Sequence, residues 1–503
     1  MANFFKAKTN KKPNNNLNPV TLSIKIDKLD NNGCGVGQYK SKPIFIESAL
    51  PNELVEVRLI EEKNKFSRAK LINIVDESTY RVAPKCKHFS RCGGCDLQHL
   101  TIAEQILFKE NKTSSLMSRV GLNQESIAKL PWQNAVQSLA WHYRRKARIG
   151  VQYNKKGQAT IGFREKSSNQ LVSIKFCPVL AQPIDKIFPI LSTLVNELSV
   201  KNVIGHIEVI AAETAIAEVK TTLVIRQLRT LKASDLALIK TFSEKYQWQV
   251  IFDHGKTVEP DKEQSVSVNS LHADTSPKDV CQSNMLATLA YSLNDNVTIQ
   301  FNQGDFIQIN ETMNVKMVDQ ALDWLDVKKS VHLNANQTQA ELASPDNILD
   351  LFCGLGNFSL ALAKYAHSVV GVEGVQAMVD KATLNAEHNA LKNVTFHQAD
   401  LNDPALCALV MEEKGNTEHW IKKSYNKVLL DPARAGAEQA VKFISQLRIP
   451  TILYVSCDPQ TLAKDSQVLL EQGYNIVKIS TLDMFVHTKH VETMVLFKLN
   501  EDK

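Results

Sequence analysis

The chain lacks any apolar run long enough to cross a membrane. Its opening, Met1-Ala-Asn-Phe-Phe-Lys-Ala-Lys-Thr-Asn-Lys-Lys12, has no apolar core of a secretory leader. The expectation is therefore a cytoplasmic protein with no membrane partner. No internal repeat recurs, so repeat architectures are set aside. Cysteine is sparse, nine residues in 503. In such a chain those sulfurs read as thiols or ligands rather than disulfides.

What is present is ordinary globular material, 44% hydrophobic and 22% charged. That is enough for roughly two to four domains with their own cores. The net charge of +6 is uneven: residues 1–180 hold 30 Lys and Arg against 14 Asp and Glu, the remainder 29 against 39. A basic first part beside an acidic second suggests a polyanionic partner. The run Trp141-His-Tyr-Arg-Arg-Lys-Ala-Arg148 mixes rings that can stack on bases with four cations that can meet phosphates.

Residues 1–19 read as a basic disordered tail. Short alternating strands are expected at 21–26, 43–46, 53–60 and 69–75, separated by turn signals, which suggests a small β-barrel over residues 20–80. Residues 81–300 read as an α+β middle domain, with helices at 102–120, 184–198 and 233–246. Residues 255–284 and 331–346 are polar excursions without a period. From residue 346 strands alternate with helices, so residues 301–503 read as a domain around a doubly wound α/β sheet.

Three thiols crowd the run Cys86-Lys-His-Phe-Ser-Arg-Cys-Gly-Gly-Cys95, and Cys177 precedes Pro178 far downstream. Four thiolates fit zinc or an iron–sulfur cluster. The five-residue gap and remote fourth cysteine lean towards the cluster. His88 and His99 compete as ligands but read as structural or RNA-facing.

In the last domain, Asp350-Leu-Phe-Cys-Gly-Leu-Gly-Asn-Phe358 follows a strand and precedes a helix. Its glycines allow close approach of a ligand to the backbone. Glu373 closes the next strand, where a carboxylate can accept from ribose hydroxyls. The third glycine of the dinucleotide fingerprint is missing. Cys457, in Tyr454-Val-Ser-Cys-Asp-Pro459, stands at a strand end before a helix, a place expected to favour thiolate. Cys353 and Cys407 read as inert core cysteines, and Cys34 and Cys281 as equally inert cysteines in exposed loops. A thiol suits alkylation of an unreactive ring carbon: addition at C6 of uracil puts electron density on C5. A base must then take the C5 proton, and Glu492 is the candidate.

Seven motifs occur in an order that resembles the RNA uracil-C5 methyltransferases. They are the cysteine set, Asp305-Phe-Ile-Gln-Ile-Asn310, the loop from Asp350, Val372-Glu-Gly374, Leu430-Asp-Pro-Ala-Arg-Ala-Gly436, the Cys457 segment, and Asp483-Met-Phe-Val-His487 through Glu492. The resemblance implies three parts: a small all-β, OB-like TRAM barrel that binds RNA, an α+β central domain with a [4Fe-4S] cluster on Cys86, Cys92, Cys95 and Cys177, and an α/β class I methyltransferase domain. It further implies S-adenosylmethionine held by Gln308, Phe352, Asn357, Glu373, Asp400 and Asp431. Cys457 would be the nucleophile and Glu492 the proton acceptor. A barrel together with the cysteine set favours the subtype that acts on a specific uridine of 23S ribosomal RNA, with no obligate protein partner. A transfer-RNA substrate is the alternative. An RNA-binding assembly factor without catalysis is a second, but it would have no need of Cys457, Glu492 and Asp431.

Overall fold

The computed structural model describes residues 21–120, 129–214, 219–253, 289–328, 344–409, 420–421 and 424–500. The expected tail at 1–19 and the excursion at 255–284 lie outside them. Of the excursion at 331–346, only residues 344–346 are described, and they begin a strand. The chain forms two compact units. The first gathers the chain up to Phe89 with Cys95–Phe108 and His487–Lys489; the second holds the remainder.

The first unit contains a closed five-stranded barrel. Its strands are Thr21–Leu29 (β1), Gly35–Tyr39 (β2), Lys42–Ile46 (β3), Leu54–Glu62 (β4) and Ser67–Asp76 (β5), in the order β1-β2-β3-β5-β4. Alternate residues Ile24, Ile26, Ile44, Ile46, Val55 and Val57 fill the interior, as a period of two requires. All four expected strands are present. The fifth, β2, was illegible because Gly-Val-Gly-Gln-Tyr carries two glycines. Gly37 has to be small there: a Cβ would sit 2.3 Å from the Lys25 carbonyl oxygen on the neighbouring strand. The buried carboxylate of Glu53 accepts from Arg81 Nε at 2.5 Å and from the Leu50 N–H at 2.8 Å.

Helix Ile102–Met117 (α1) follows. The second unit then builds a mixed sheet. Its strands are Lys146–Tyr153 (β6), Ala159–Arg164 (β7), Leu171–Ser173 (β8), Ile204–Thr214 (β9), Val219–Gln227 (β10), Trp248–Asp253 (β11), Leu289–Leu293 (β12) and Val297–Phe301 (β13). They run β11-β10-β9-β6-β7-β8, with the hairpin β12–β13 joined to β9. Helix Ile187–Glu197 (α2) presents Phe188, Leu191, Leu194 and Val195 to this sheet's apolar cluster, at helical spacing. Helix Ala233–Tyr246 (α3) precedes β11.

Helix Glu311–Trp324 (α4) begins at Asn310, whose side chain accepts from the Met313 N–H at 3.1 Å. The last sheet follows. Its strands are Ser344–Leu351 (β14), Ala366–Glu373 (β15), Val394–Gln398 (β16), Lys427–Leu430 (β17), Thr451–Ser456 (β18), Tyr474–Leu482 (β19) and Glu492–Leu499 (β20). The helices between them are Ser359–Ala363 (α5), Gln376–His388 (α6), Leu406–Leu409 (α7), Glu438–Gln446 (α8) and Pro459–Glu471 (α9). The order is β16-β15-β14-β17-β18-β20-β19, and β20 runs antiparallel to both β18 and β19. Strands β17 and β18 are almost wholly apolar, and all but their first residues are buried, as central parallel strands require. The chain turns from one direction of strand addition to the other at β14, which pairs with β15 on one side and β17 on the other. Such a switch point opens a crevice beyond the strand ends.

Candidate active site

The parallel strands deliver their last residues to one edge. Phe352 follows β14, Glu373 ends β15, Asp400 comes two residues after β16, Asp431 follows β17 and Cys457 follows β18. The antiparallel strand β20 brings its first residue, Glu492, to the same edge. Ser456 is the register partner of Thr493, so the next residue along β18, Cys457, stands across from Glu492.

The loop after β14 is bent by three left-handed residues, Phe352 at φ 63°, Gly354 at 54° and Gly356 at 90°. Phe352 has no glycine's freedom, and strain of this kind gathers at functional loops. A Cβ on Gly354 would meet nothing within 4 Å, so that backbone faces open space. Glu373 ties the loop to β15 by accepting from the Gly354 N–H and the Val375 N–H, each at 3.2 Å. Asp350 lies behind the loop, fully buried and bonded by the Ser359 hydroxyl. Its second oxygen, Oδ1, has no hydrogen-bond partner among the described residues. Burial pushes this carboxyl up to about 7. Asp400 lines a cavity of about 220 Å³ together with Gln398, Ala399, Trp420 and Ile421.

An open glycine backbone, a carboxylate with lone pairs to spare at the next strand end and a flanking cavity fit S-adenosylmethionine. Two expected cofactor residues have other engagements. The Asn357 amide exchanges hydrogen bonds with Asn314 at 2.9 and 3.0 Å and accepts from Tyr291 Oη at 2.9 Å. Gln308 is half-buried, and its main-chain carbonyl accepts from Arg145 Nε at 2.9 Å, an engagement of the backbone and not of the side-chain amide.

Electrostatics at Cys457 differ from the sequence reading. Asp458 caps α9, accepting from the Gln460 N–H at 2.8 Å, and Pro459 occupies the first turn, so the helix start is where it was expected. Thiolate is nonetheless disfavoured. Burial, then the charges of Glu492 and Asp431, push the thiol up to about 12, with Arg434 opposing. Burial leads this shift and the two neighbouring carboxylates add to it, both disfavouring the charged thiolate. Glu492 is itself buried, and burial followed by the charge of Asp431 raises it well above the usual carboxylate range. Burial raises Asp431 to about 7. This edge is therefore built to hold protons.

Sequence reasoning gave no role to Arg434, the cation acting on both Cys457 and Glu492, though it lies three residues after Asp431 in the motif Leu430–Gly436. It also missed Asp465, which accepts from Tyr454 Oη at 2.6 Å and the Ala437 N–H at 2.8 Å, tying the segment after Asp431 to β18. Phe306, beside Gln308, is 74% exposed. Cys353 is buried and its thiol is pushed well up, consistent with a core role. Cys34 is half-buried rather than exposed.

The basic run is not a uniform cationic surface. Arg145 is buried, with its guanidinium 4.5 Å from the centre of the Tyr291 ring. Lys146 donates to the carbonyls of Gln303 and Asp305 and pairs with Glu208 at 3.2 Å. Arg144 Nε donates to the Lys146 carbonyl. Arg148 alone of the four is largely exposed.

Cys92 and Cys177 belong to the apolar cluster of the middle sheet, and the Gly94 N–H donates to Cys92 Sγ at 3.4 Å. Cys86 and Cys95 belong to the first unit. Among the described residues, no group of three or more His, Cys, Asp or Glu side chains gathers as a metal site. His99 is buried, its ring 5.3 Å from that of Phe89.

Comparison with known proteins places this geometry. A family model described as tRNA (Uracil-5-)-methyltransferase matches residues 127–500, and a TRAM domain model matches residues 20–72. A Colwellia psychrerythraea protein named 23S rRNA (uracil(1939)-C(5))-methyltransferase RlmD is 48% identical over 99% of each chain. A Psychromonas ingrahamii protein of the same name is 40% identical over 99% of this chain and 100% of its own. The structure of the Pyrococcus abyssi tRNA (uracil-54, C5)-methyltransferase with S-adenosyl-L-homocysteine is similar in fold. It has a TM-score of 0.64 at 23% identity, covering 95% of this chain and 100% of that one.

Proposed function

The chain belongs to the RNA uracil-C5 methyltransferase family, and from that premise we propose that it methylates C5 of a uridine in 23S ribosomal RNA through covalent addition of Cys457 to C6 of the ring. The names of its relatives point to uracil 1939 as the target. The observation that carries the mechanism is the register Ser456 to Thr493, which sets the thiol across from Glu492 with Asp431 acting on both.

The target base has to leave its stack, because neither ring face is reachable within a paired helix. Cys457 then adds to C6, and its proton passes to the carboxylate pair at the same edge. Electron density moves to C5. S-adenosylmethionine, when bound, supplies the electrophilic methyl group. Phe352, Glu373, Asp400 and Asp431 would hold it along the strand ends, with Asn357 in the loop after β14 and Gln308 before α4 as the other two expected contacts. Glu492 takes the C5 proton as carboxylate, the C5–H electron pair becomes the C5=C6 bond, and the C6–S bond breaks. Burial raises the basicity that Glu492 needs for this step.

RNA with 5-fluorouridine at the target should trap the adduct, because fluorine cannot leave as a proton does. Wild type should form a stable protein–RNA complex and Cys457→Ala none. No complex with wild type, or the same one with Cys457→Ala, rejects the mechanism. Labelled methyl donor offered with separated ribosomal and transfer RNAs tests the substrate. A transfer-RNA product would reject the ribosomal-RNA reading in favour of a transfer-RNA enzyme.

The barrel would add RNA affinity: Phe66 carries Lys63 at 5.0 Å and Arg68 at 5.7 Å from its ring centre, a surface suited to bases and phosphates. Cys86, Cys92, Cys95 and Cys177 would hold a [4Fe-4S] cluster. A set of four thiols supports this reading chemically, and no step of methyl transfer is assigned to the group. Iron and acid-labile sulfide in anaerobically purified protein would bear it out; stoichiometric zinc or no metal would reject it.

A further inference from the structure

We propose that the buried pair Lys109–Asp483 is a positioning device for Glu492, fixing the connection that leads into β20. The proposal rests on the reading of Glu492 as the base for the C5 proton.

Strand β19 ends at Leu482, the register partner of Glu492. The connection between β19 and β20 therefore leaves the sheet at Asp483 and must return to the same level nine residues later. Its first residues make few bonds within a sheet or helix. They are held from outside by side chains. Asn310 Nδ2 donates to the Met484 carbonyl at 3.4 Å, Lys109 Nζ to the Phe485 carbonyl at 3.1 Å and Tyr143 Oη to the Val486 carbonyl at 2.9 Å. Three successive carbonyls thus each take a donor from a different part of the chain. Lys109 adds a charged bond to Asp483 Oδ1 at 2.5 Å.

Both members of the pair are almost completely buried, at 0% and 1% exposure. A buried ion pair rarely stabilises a fold more than two apolar side chains of the same size would. What it does supply is direction: an ammonium aimed at one carboxylate oxygen and one carbonyl permits few arrangements of the turn. That matters where a carboxylate must meet a single C–H bond, since small misplacements of a reacting group cost large factors in rate.

A pair serving only stability would lower melting temperature and all rates together. A positioning pair should slow one step: loss of the C5 proton with expulsion of sulfur. The test is the double variant Lys109→Met with Asp483→Met, which leaves no unpaired buried charge. It should melt close to wild type and form the 5-fluorouridine adduct at the wild-type rate. With ordinary uridine RNA and methyl donor it should accumulate a covalent, already methylated protein–RNA complex, and kcat should fall about tenfold with KM unchanged. Wild-type kcat without accumulation overturns the proposal, as does an equal fall in adduct formation and release. If the double variant does not fold, Asp483→Asn, which removes the charge and keeps an acceptor, is read by the same outcomes. Failure of wild type to form the fluorouridine adduct would instead reject the mechanism itself, and this inference with it.

Discussion

Burial does most to keep the Cys457 thiol protonated, and of the charged side chains that act on it Glu492 is the strongest and works in the same sense. In the proposed mechanism the nucleophile and the base would therefore oppose each other in the resting protein, and activation would coincide with RNA binding, when a base fills the edge and one of the carboxyls takes the proton.

Glu492→Gln separates the two roles. Removing that charge should lower the pKa of Cys457, so alkylation by iodoacetamide should begin at lower pH than in wild type. The same variant should add to ordinary uridine RNA, accept the methyl group and then stall, because nothing removes the C5 proton. Turnover should fall by roughly two to four orders of magnitude, the usual share of a general base. A pH profile of alkylation identical to wild type would show that the carboxylate does not govern the thiol.

Arg434 acts in the opposite sense on both groups. Arg434→Gln should shift alkylation of Cys457 to higher pH. The side chain is exposed, so solvent screens it, and the loss should be about fivefold or less, equivalent to ~1 kcal/mol. Measuring alkylation rate against pH in low and high salt checks this: the difference between variant and wild type should shrink as salt rises.

The barrel, the strand order around β14 and the shared edge of Glu373, Asp431 and Cys457 were legible because they follow from local pattern: alternation, glycine placement and the last residue of each strand. The charge balance at Cys457 was not. The motif around it showed a helix start, which favours thiolate, while the opposing carboxylates arrive from β17 and β20. The basic run misled for the same reason. Alternation along β6 sends Arg145 inwards and Arg148 outwards, and a string of cations does not reveal that its alternate members face the core.

That alternation makes a prediction for RNA binding. Arg148→Gln should lower the slope of log affinity against log salt by about one, if its exposed guanidinium meets a phosphate. Arg145→Gln should leave the slope unchanged and lower stability by about 1–3 kcal/mol, as loss of a buried charged hydrogen bond does. Filter binding over a salt series, beside thermal melts, separates the two.

Asp350 yields a pH dependence of stability. Its carboxyl is raised from 3.8 to about 7 in the folded chain, so the folded state binds the proton more tightly than the unfolded state. That contribution is complete below the unfolded value and is lost as pH rises through about 7. Asp350→Asn removes the cost of ionising a buried acid while leaving an acceptor for the Ser359 hydroxyl. The variant should therefore melt higher than wild type at pH 8 by an amount worth up to about 4 kcal/mol, and the gap should close towards pH 4. A gap independent of pH would mean that Asp350 does not titrate in this window.

Gly436 tests the support beneath the Asp431 segment. It sits at φ 82°, and a Cβ there would lie 2.8 Å from Thr461 Cβ and 2.9 Å from Asp465 Oδ2. Alanine is thus strained twice, by its backbone conformation and by a neighbour that cannot retreat without releasing Tyr454 and the Ala437 N–H. Gly436→Ala should cost about 1–3 kcal/mol of stability. It should also displace Arg434 and Asp431, so that turnover falls further than melting temperature alone accounts for. If activity measured well below the melting transition equals wild type, the Asp465 network carries the fold and not the geometry of the active edge.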